Sequence, residues 1–97
     1  MTAGAIDRPV VVLLGGPSAE HDVSVVSGTA IAGALASSGL AVEQVLIDLD
    51  RRWWFLPADH RRADRPAAAY DDPVALGARG PLRLGQALDD LSTRTEP

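Results

Sequence analysis

The sequence predicts an α/β fold, an incomplete Rossmann-like parallel sheet carrying one βαβ unit, and three observations lead to it. Val10-Val11-Val12-Leu13-Leu14 is an apolar, largely β-branched run bounded by Pro9 and by Gly15-Gly16, the pattern of a strand buried on both faces. A stretch with apolar or small residues three and four positions apart follows it. Ala41 to Asp48 then returns to strand-like composition. Strand, tight turn, helix and strand in that order imply a parallel pair joined by a crossover.

The helix starts between Ser18 and Asp22, because Ser18, Glu20 and Asp22 each suit a cap or a first turn. Val23, Val26, Ser27, Ala30, Ile31, Ala34 and Leu35 define the face expected to meet the sheet. The helix runs to about Ser38, and Gly39 supplies the stop. Gly28 and Gly33 lower helix propensity, so both are expected to mark close approach to the sheet. In the second strand, Val45-Leu46-Ile47 is expected to be more buried than Glu43-Gln44. A polar turn, Asp48 to Arg52, then leads to Trp53-Trp54-Phe55-Leu56, a short aromatic strand that forms a hairpin with the second, its tryptophans packed over the sheet edge.

From Pro57 to Pro81 the composition shifts to Pro, Ala, Asp and Arg with little periodicity, which reads as a long surface loop, partly disordered. Leu82-Arg83-Leu84 is a short strand or the entry to a helix, and Gln86 to Leu91 makes a brief amphipathic helix with Leu88 and Leu91 inward. The organisation is therefore a flexible leader over 1–8, a βαβ-plus-hairpin core over 9–56, and a loop with a short C-terminal segment over 57–97.

Composition narrows the function. A chain of 97 residues supports one small domain, and 46% hydrophobic content supports a packed core. The net charge of −4 argues against a nucleic-acid module. All nine basic residues are arginine, so the chain holds no Schiff-base or P-loop lysine. The absence of cysteine excludes disulfides, thiolate metal sites and thiol nucleophiles. There is no apolar run of about 18 residues to span a membrane. Met1 to Arg8 has no basic start followed by an apolar stretch, so no signal peptide is read and the cytoplasm is expected.

The chemically informative segment is Gly15-Gly16-Pro17-Ser18-Ala19-Glu20. A Gly-rich turn between a strand and a helix lies at the carboxyl edge of a parallel sheet, where ligands bind. The dinucleotide pattern G-x-G-x-x-G is not met, and Asp48 lies beyond the expected spacing of about 20 residues for the ribose-binding acid.

The stretch from Val11 to Gly28, VVLLGGPSAEHDVSVVSG, closely resembles the N-terminal signature of D-alanine–D-alanine ligases: an apolar strand, GG-x-S-x-E, two variable or polar residues, then V-S-x-x-S-G. Ile47-Asp48-Leu49-Asp50 followed by Arg52-Trp53 also resembles that family's second-strand exit, with Arg51 where the family usually has a turn glycine. The resemblance covers about residues 9–56. It implies a pre-ATP-grasp domain at the N-terminus of a cytoplasmic enzyme that uses ATP and Mg²⁺ to join two D-alanines for peptidoglycan synthesis, and hence for the cell wall and cell shape. It also implies that Glu20 acts as the catalytic and substrate-binding carboxylate that holds the ammonium of the first D-alanine. Val23 is implied to pack near the substrate methyl, with the backbone of Gly15 and Gly16 shaping the loop. A carboxylate on a stiff turn suits that role, since it can make a short charge-assisted hydrogen bond.

The remaining polar residues read more plainly. Ser24 and Ser27 serve packing or local hydrogen bonding, His21 is a solvated first-turn residue, and His60 sits in a polar loop. Two separated histidines give no metal site, and the Arg51-Arg52 and Arg61-Arg62 pairs are solvated surface. Two parallel strands and one hairpin strand leave a doubly wound sheet short of its layers. The expectation is a substrate-side fragment, inactive alone, that binds no cofactor itself. Its partners would be D-alanine, the central and C-terminal ATP-grasp domains and, at full length, a second subunit. The competing reading is a truncated stand-alone binding module that dimerises through its open sheet edge.

Overall fold

The computed structural model describes residues 9–95, so the leader read over 1–8 lies outside the described residues. Strand β1 (Val10–Gly15) is followed by helix α1 (His21–Ser37) and strand β2 (Val42–Ile47). Strand β3 (Trp53–Phe55), two short 3-10 turns (Ala67–Asp71 and Val74–Leu76), strand β4 (Arg79–Leu82) and helix α2 (Leu84–Thr95) complete the order. The four strands form one mixed sheet in the order β1-β2-β3-β4. β1 and β2 are parallel with Val10 opposite Val42 and Leu14 opposite Leu46. β2–β3 and β3–β4 are antiparallel. The predicted βαβ unit and hairpin are therefore present, and β4 adds a strand beyond them.

Alternation along β1 sends Val10, Val12 and Leu14 to the α1 side, where they join Val25, Ala32, Leu46, Trp54, Leu56 and Tyr70 in the main core. On the other face, Val45 and Phe55 pack against Ala87 and Leu91 of α2, with Val11, Trp53 and Leu82 at the margin. Arg79 of β4 lies 4.7 Å above the Phe55 ring and pairs with Asp90 of α2. The second face is only partly covered, so β1 is not buried on both sides. Leu13 is 50% exposed, because β1 is an edge strand and α2 packs over the middle strands.

Four further expectations change. The buried residues of α1 are His21, Val25, Gly28, Thr29 and Ala32, whereas Val23, Val26 and Ile31, assigned to the sheet face, are exposed. Of the two helix glycines, only Gly28 meets the sheet. A Cβ there would lie 2.6 Å from the Leu14 Cβ, while one at Gly33 meets nothing within 4 Å. Gln44 is buried, because its Nε2 donates to the His60 carbonyl at 2.9 Å and ties β2 to the segment after β3. Leu88 is exposed, and Ala87 takes the inward position beside Leu91.

The segment read as a long surface loop folds back over the sheet. Tyr70 is fully buried in the main core, and its hydroxyl lies 2.5 Å from the Nε2 of the buried His60, their rings edge-to-face at 5.4 Å. Burial, with help from the Arg65 and Arg61 charges, pushes the His60 pKa below its ordinary value, and burial pushes that of Tyr70 up. Among the described residues no helix is long and apolar enough to cross a membrane.

Candidate functional site

The carboxyl ends of β1 and β2 and the N-terminus of α1 meet at the Gly15-Gly16 turn. Gly15 has φ +91°, and a Cβ there would lie 2.4 Å from the Ile47 carbonyl oxygen. Both the backbone conformation and the space therefore require glycine. Internal hydrogen bonds hold the turn. The Gly15 N–H donates to Ser24 Oγ at 3.0 Å, and the Gly16 N–H donates to the Ile47 carbonyl at 2.7 Å. The Glu20 N–H donates to Ser18 Oγ at 3.1 Å, and the His21 N–H to the Ser18 carbonyl at 3.1 Å. Ser24 thus has the local hydrogen-bonding role expected of it.

These bonds bear on nucleotide binding. A phosphate cradle needs backbone N–H groups free to point at the anion, and here those of Gly15, Gly16, Glu20 and His21 are engaged internally. Asp48, the residue closest to a ribose-binding acid, is also engaged. Its Oδ1 accepts from the Asp50 and Arg52 N–H groups at 2.8 and 2.9 Å, and its Oδ2 accepts from Trp54 Nε1 at 2.9 Å. It is the organiser of the β2–β3 turn. The four N–H groups of Gly15, Gly16, Glu20 and His21 are thus committed internally, and the chain has no lysine to grip a phosphate. Within the same turn Arg51 takes φ +67°, a conformation that favours glycine.

Glu20 occupies the N-cap position of α1, is exposed, and makes no capping hydrogen bond through its side chain. Val23, three residues on, shares its side of the helix and is 60% exposed. Val23 lines a largely apolar groove of about 290 Å³ with Asp22, Val26, Ser27 and Ala67.

His21 is buried rather than solvated. Its Nδ1 lies 2.6 Å from the Gly16 carbonyl oxygen, and the ring packs at the Gly15 Cα, where an added Cβ would touch its Cε1 at 3.0 Å. The second ring nitrogen, Nε2, is buried with no hydrogen-bond partner. His21 lines a cavity of about 160 Å³ with Asp48, Leu49, Asp50, Tyr70 and Asp71. No local pattern signals this grouping, because Asp71 and Tyr70 belong to the segment read as loop.

The model of the D-ala D-ala ligase N-terminus family matches residues 9–91. The chain belongs to that family. Within D-alanine–D-alanine ligases, the protein of that name from Methylobacterium sp. (strain 4-46) is 36% identical over 91 residues, covering 93% of this chain and 24% of the relative. The ligase from Moorella thermoacetica is 50% identical over 42 residues, covering 43% of this chain and 13% of the relative. The chain thus spans about a quarter or less of the length of the ligases it matches. No solved structure gives a significant match. The match over 9–91 extends the ligase likeness beyond the 9–56 stretch in which the motifs were recognised.

Proposed function

We propose that this chain is the substrate-side N-terminal part of a cytoplasmic D-alanine–D-alanine ligase, and that Glu20 holds the ammonium of the first D-alanine. One observation carries the reading. Glu20 stands at the N-cap of α1 without a capping bond, so its carboxylate is available to a ligand. Its support is the rigid turn beneath it and the apolar groove beginning at Val23 on the same side of the helix. An ammonium on Glu20 and a methyl against Val23 would orient a D-amino acid. ATP and Mg²⁺ would be held by ATP-grasp domains, a division that the internally bonded N–H groups of this turn support. The 97-residue chain would therefore release no phosphate from ATP with Mg²⁺ and D-alanine.

The test is a chimera in which residues 9–91 replace the matching segment of the Methylobacterium ligase. The chimera is expected to form D-alanyl-D-alanine. Glu20→Gln should raise the KM for the first D-alanine about 10- to 100-fold, the equivalent of one charge-assisted hydrogen bond, and leave ATP binding unchanged. An unchanged D-alanine KM would remove Glu20 from the site.

The exposed apolar side of α1, with Val23, Val26 and Ile31, together with Leu13 on the edge strand, favours a second reading as a self-associating module. Sedimentation of the purified chain separates the two. A stable dimer that buries Val23 and gives no active chimera supports the module.

A further inference from the structure

We infer that His21, Asp22 and Asp71 form a binding site for a divalent first-row transition ion of the zinc or cobalt type. One ring nitrogen of His21 and one carboxylate oxygen from each aspartate lie within 4.8 Å of one another. Exposed carboxylates alone would not indicate a ligand, but the histidine adds an independent observation. It is only 4% exposed, and its Nε2 is buried with no hydrogen-bond partner. A buried polar atom left unpaired costs about 1–3 kcal/mol, so Nε2 calls for a partner that the chain does not supply.

The chemistry of the ring specifies the kind of partner. The Gly16 carbonyl can only accept, so Nδ1 carries the proton in that 2.6 Å contact. In the neutral ring Nε2 then presents a lone pair. An imidazole fixed through Nδ1–H to a backbone carbonyl, with Nε2 bare, is the usual arrangement of a metal-bound histidine. Ligand bonds of about 2.0–2.2 Å require the three donors to draw closer together. Asp22 and Asp71 are both exposed and can swing, whereas His21 is held. One nitrogen and two oxygens with open positions suit zinc or cobalt better than calcium or magnesium, which prefer all-oxygen sets.

The electrostatics set a condition. The N-terminus of α1 disfavours a nearby cation, so both carboxylates are needed to offset it. Asp48 cannot substitute, because its two oxygens accept three hydrogen bonds in the β2–β3 turn. Asp22 also borders the groove at Val23, so ion binding is tested by itself, without reference to ligase activity.

The experiment is titration of the purified chain with Co²⁺, followed by visible absorption and by Zn²⁺ competition, without D-alanine or nucleotide. Saturable binding of one ion per chain is expected, together with a shift of the His21 Nε2 resonance in ¹⁵N NMR. Asp71→Asn, at an exposed position, should weaken binding at least about tenfold without unfolding the chain, and Asp22→Asn should do likewise. Asp89→Asn, an exposed carboxylate on α2, should leave binding unchanged. Absence of saturable binding would overturn the site and leave Nε2 to a water. Equal weakening by Asp89→Asn and Asp71→Asn would overturn it as diffuse binding to an acidic surface.

Discussion

Two glycines of one helix offer a controlled measurement of how tightly α1 packs on β1. Gly28→Ala and Gly33→Ala both replace a helix-interior glycine by alanine, a gain of about 1 kcal/mol in intrinsic propensity. They differ in what the new methyl meets. At residue 28 it would sit 2.6 Å from the Leu14 Cβ, with the Leu14 Cα at 3.6 Å, and at residue 33 nothing lies within 4 Å. Leu14 is 1% exposed, and its Cβ is attached to the backbone of β1, so it cannot turn aside as a side-chain tip would. The helix must lift, and overpacking of that kind costs about 1–3 kcal/mol. Because the propensity term cancels, the difference between the two variants isolates this cost. Gly33→Ala should be the more stable by about 1–3 kcal/mol. At about 4–8 °C per kcal/mol for a domain of this size, the gap in Tm should lie between about 4 and 24 °C. Circular dichroism melts and urea titrations at neutral pH measure it. Equal stabilities, or a Gly28→Ala protein more stable than Gly33→Ala, would refute the assignment of the buried face of α1.

Three other outcomes test the hairpin and the folded-back segment. Asp48→Asn keeps a carbonyl for the Asp50 and Arg52 N–H groups but turns an amide toward Trp54 Nε1. It should cost about 1–3 kcal/mol, visible in urea unfolding followed by tryptophan fluorescence. Arg51→Gly relieves a left-handed conformation and should raise stability by about 0.5–1 kcal/mol after the greater freedom of glycine in the unfolded chain is counted, as a small upward shift of the urea midpoint. The His60 pKa is lowered on folding, first by burial and then by Arg65 and Arg61, so the unfolded chain binds the proton more readily as pH falls. His60 thus contributes stability that is fully present above about pH 6.5, its ordinary value, and is lost as pH falls toward the folded value. Unfolding free energies measured from pH 7.5 to 5 should fall, and His60→Gln should flatten that decline.

Much of the chain was legible because its signals are local. The βαβ order follows from an apolar run, a helical spacing and a second apolar run, each within a single element. The hairpin follows from a polar turn between two apolar stretches. The Gly15-Gly16 turn and Glu20 were likewise visible, since a strand-to-helix turn is written in consecutive residues, and the structure adds why Gly15 must be glycine. The segment from Pro57 onward was not legible. Tyr70 and His60 are single residues in a proline-rich stretch, and their contact with each other and with the core, with the Gln44 bond to the His60 carbonyl, orders that stretch.

The sequence by itself therefore determined the succession of elements from β1 to β3 and the placement of Glu20 at the head of a helix. Only the tertiary structure decided which side of that helix turns inward. Helix α1 is apolar or small nearly all round, so spacing alone cannot choose between the Val23–Val26–Ile31 side and the Val25–Gly28–Ala32 side. The choice is made by fit. Gly28 lets the helix settle onto Leu14, and His21 at its first residue reaches the Gly16 carbonyl, which turns Val23 outward. The same packing buries the His21 ring and brings it to Asp71, a residue fifty positions away whose position no local pattern could have revealed.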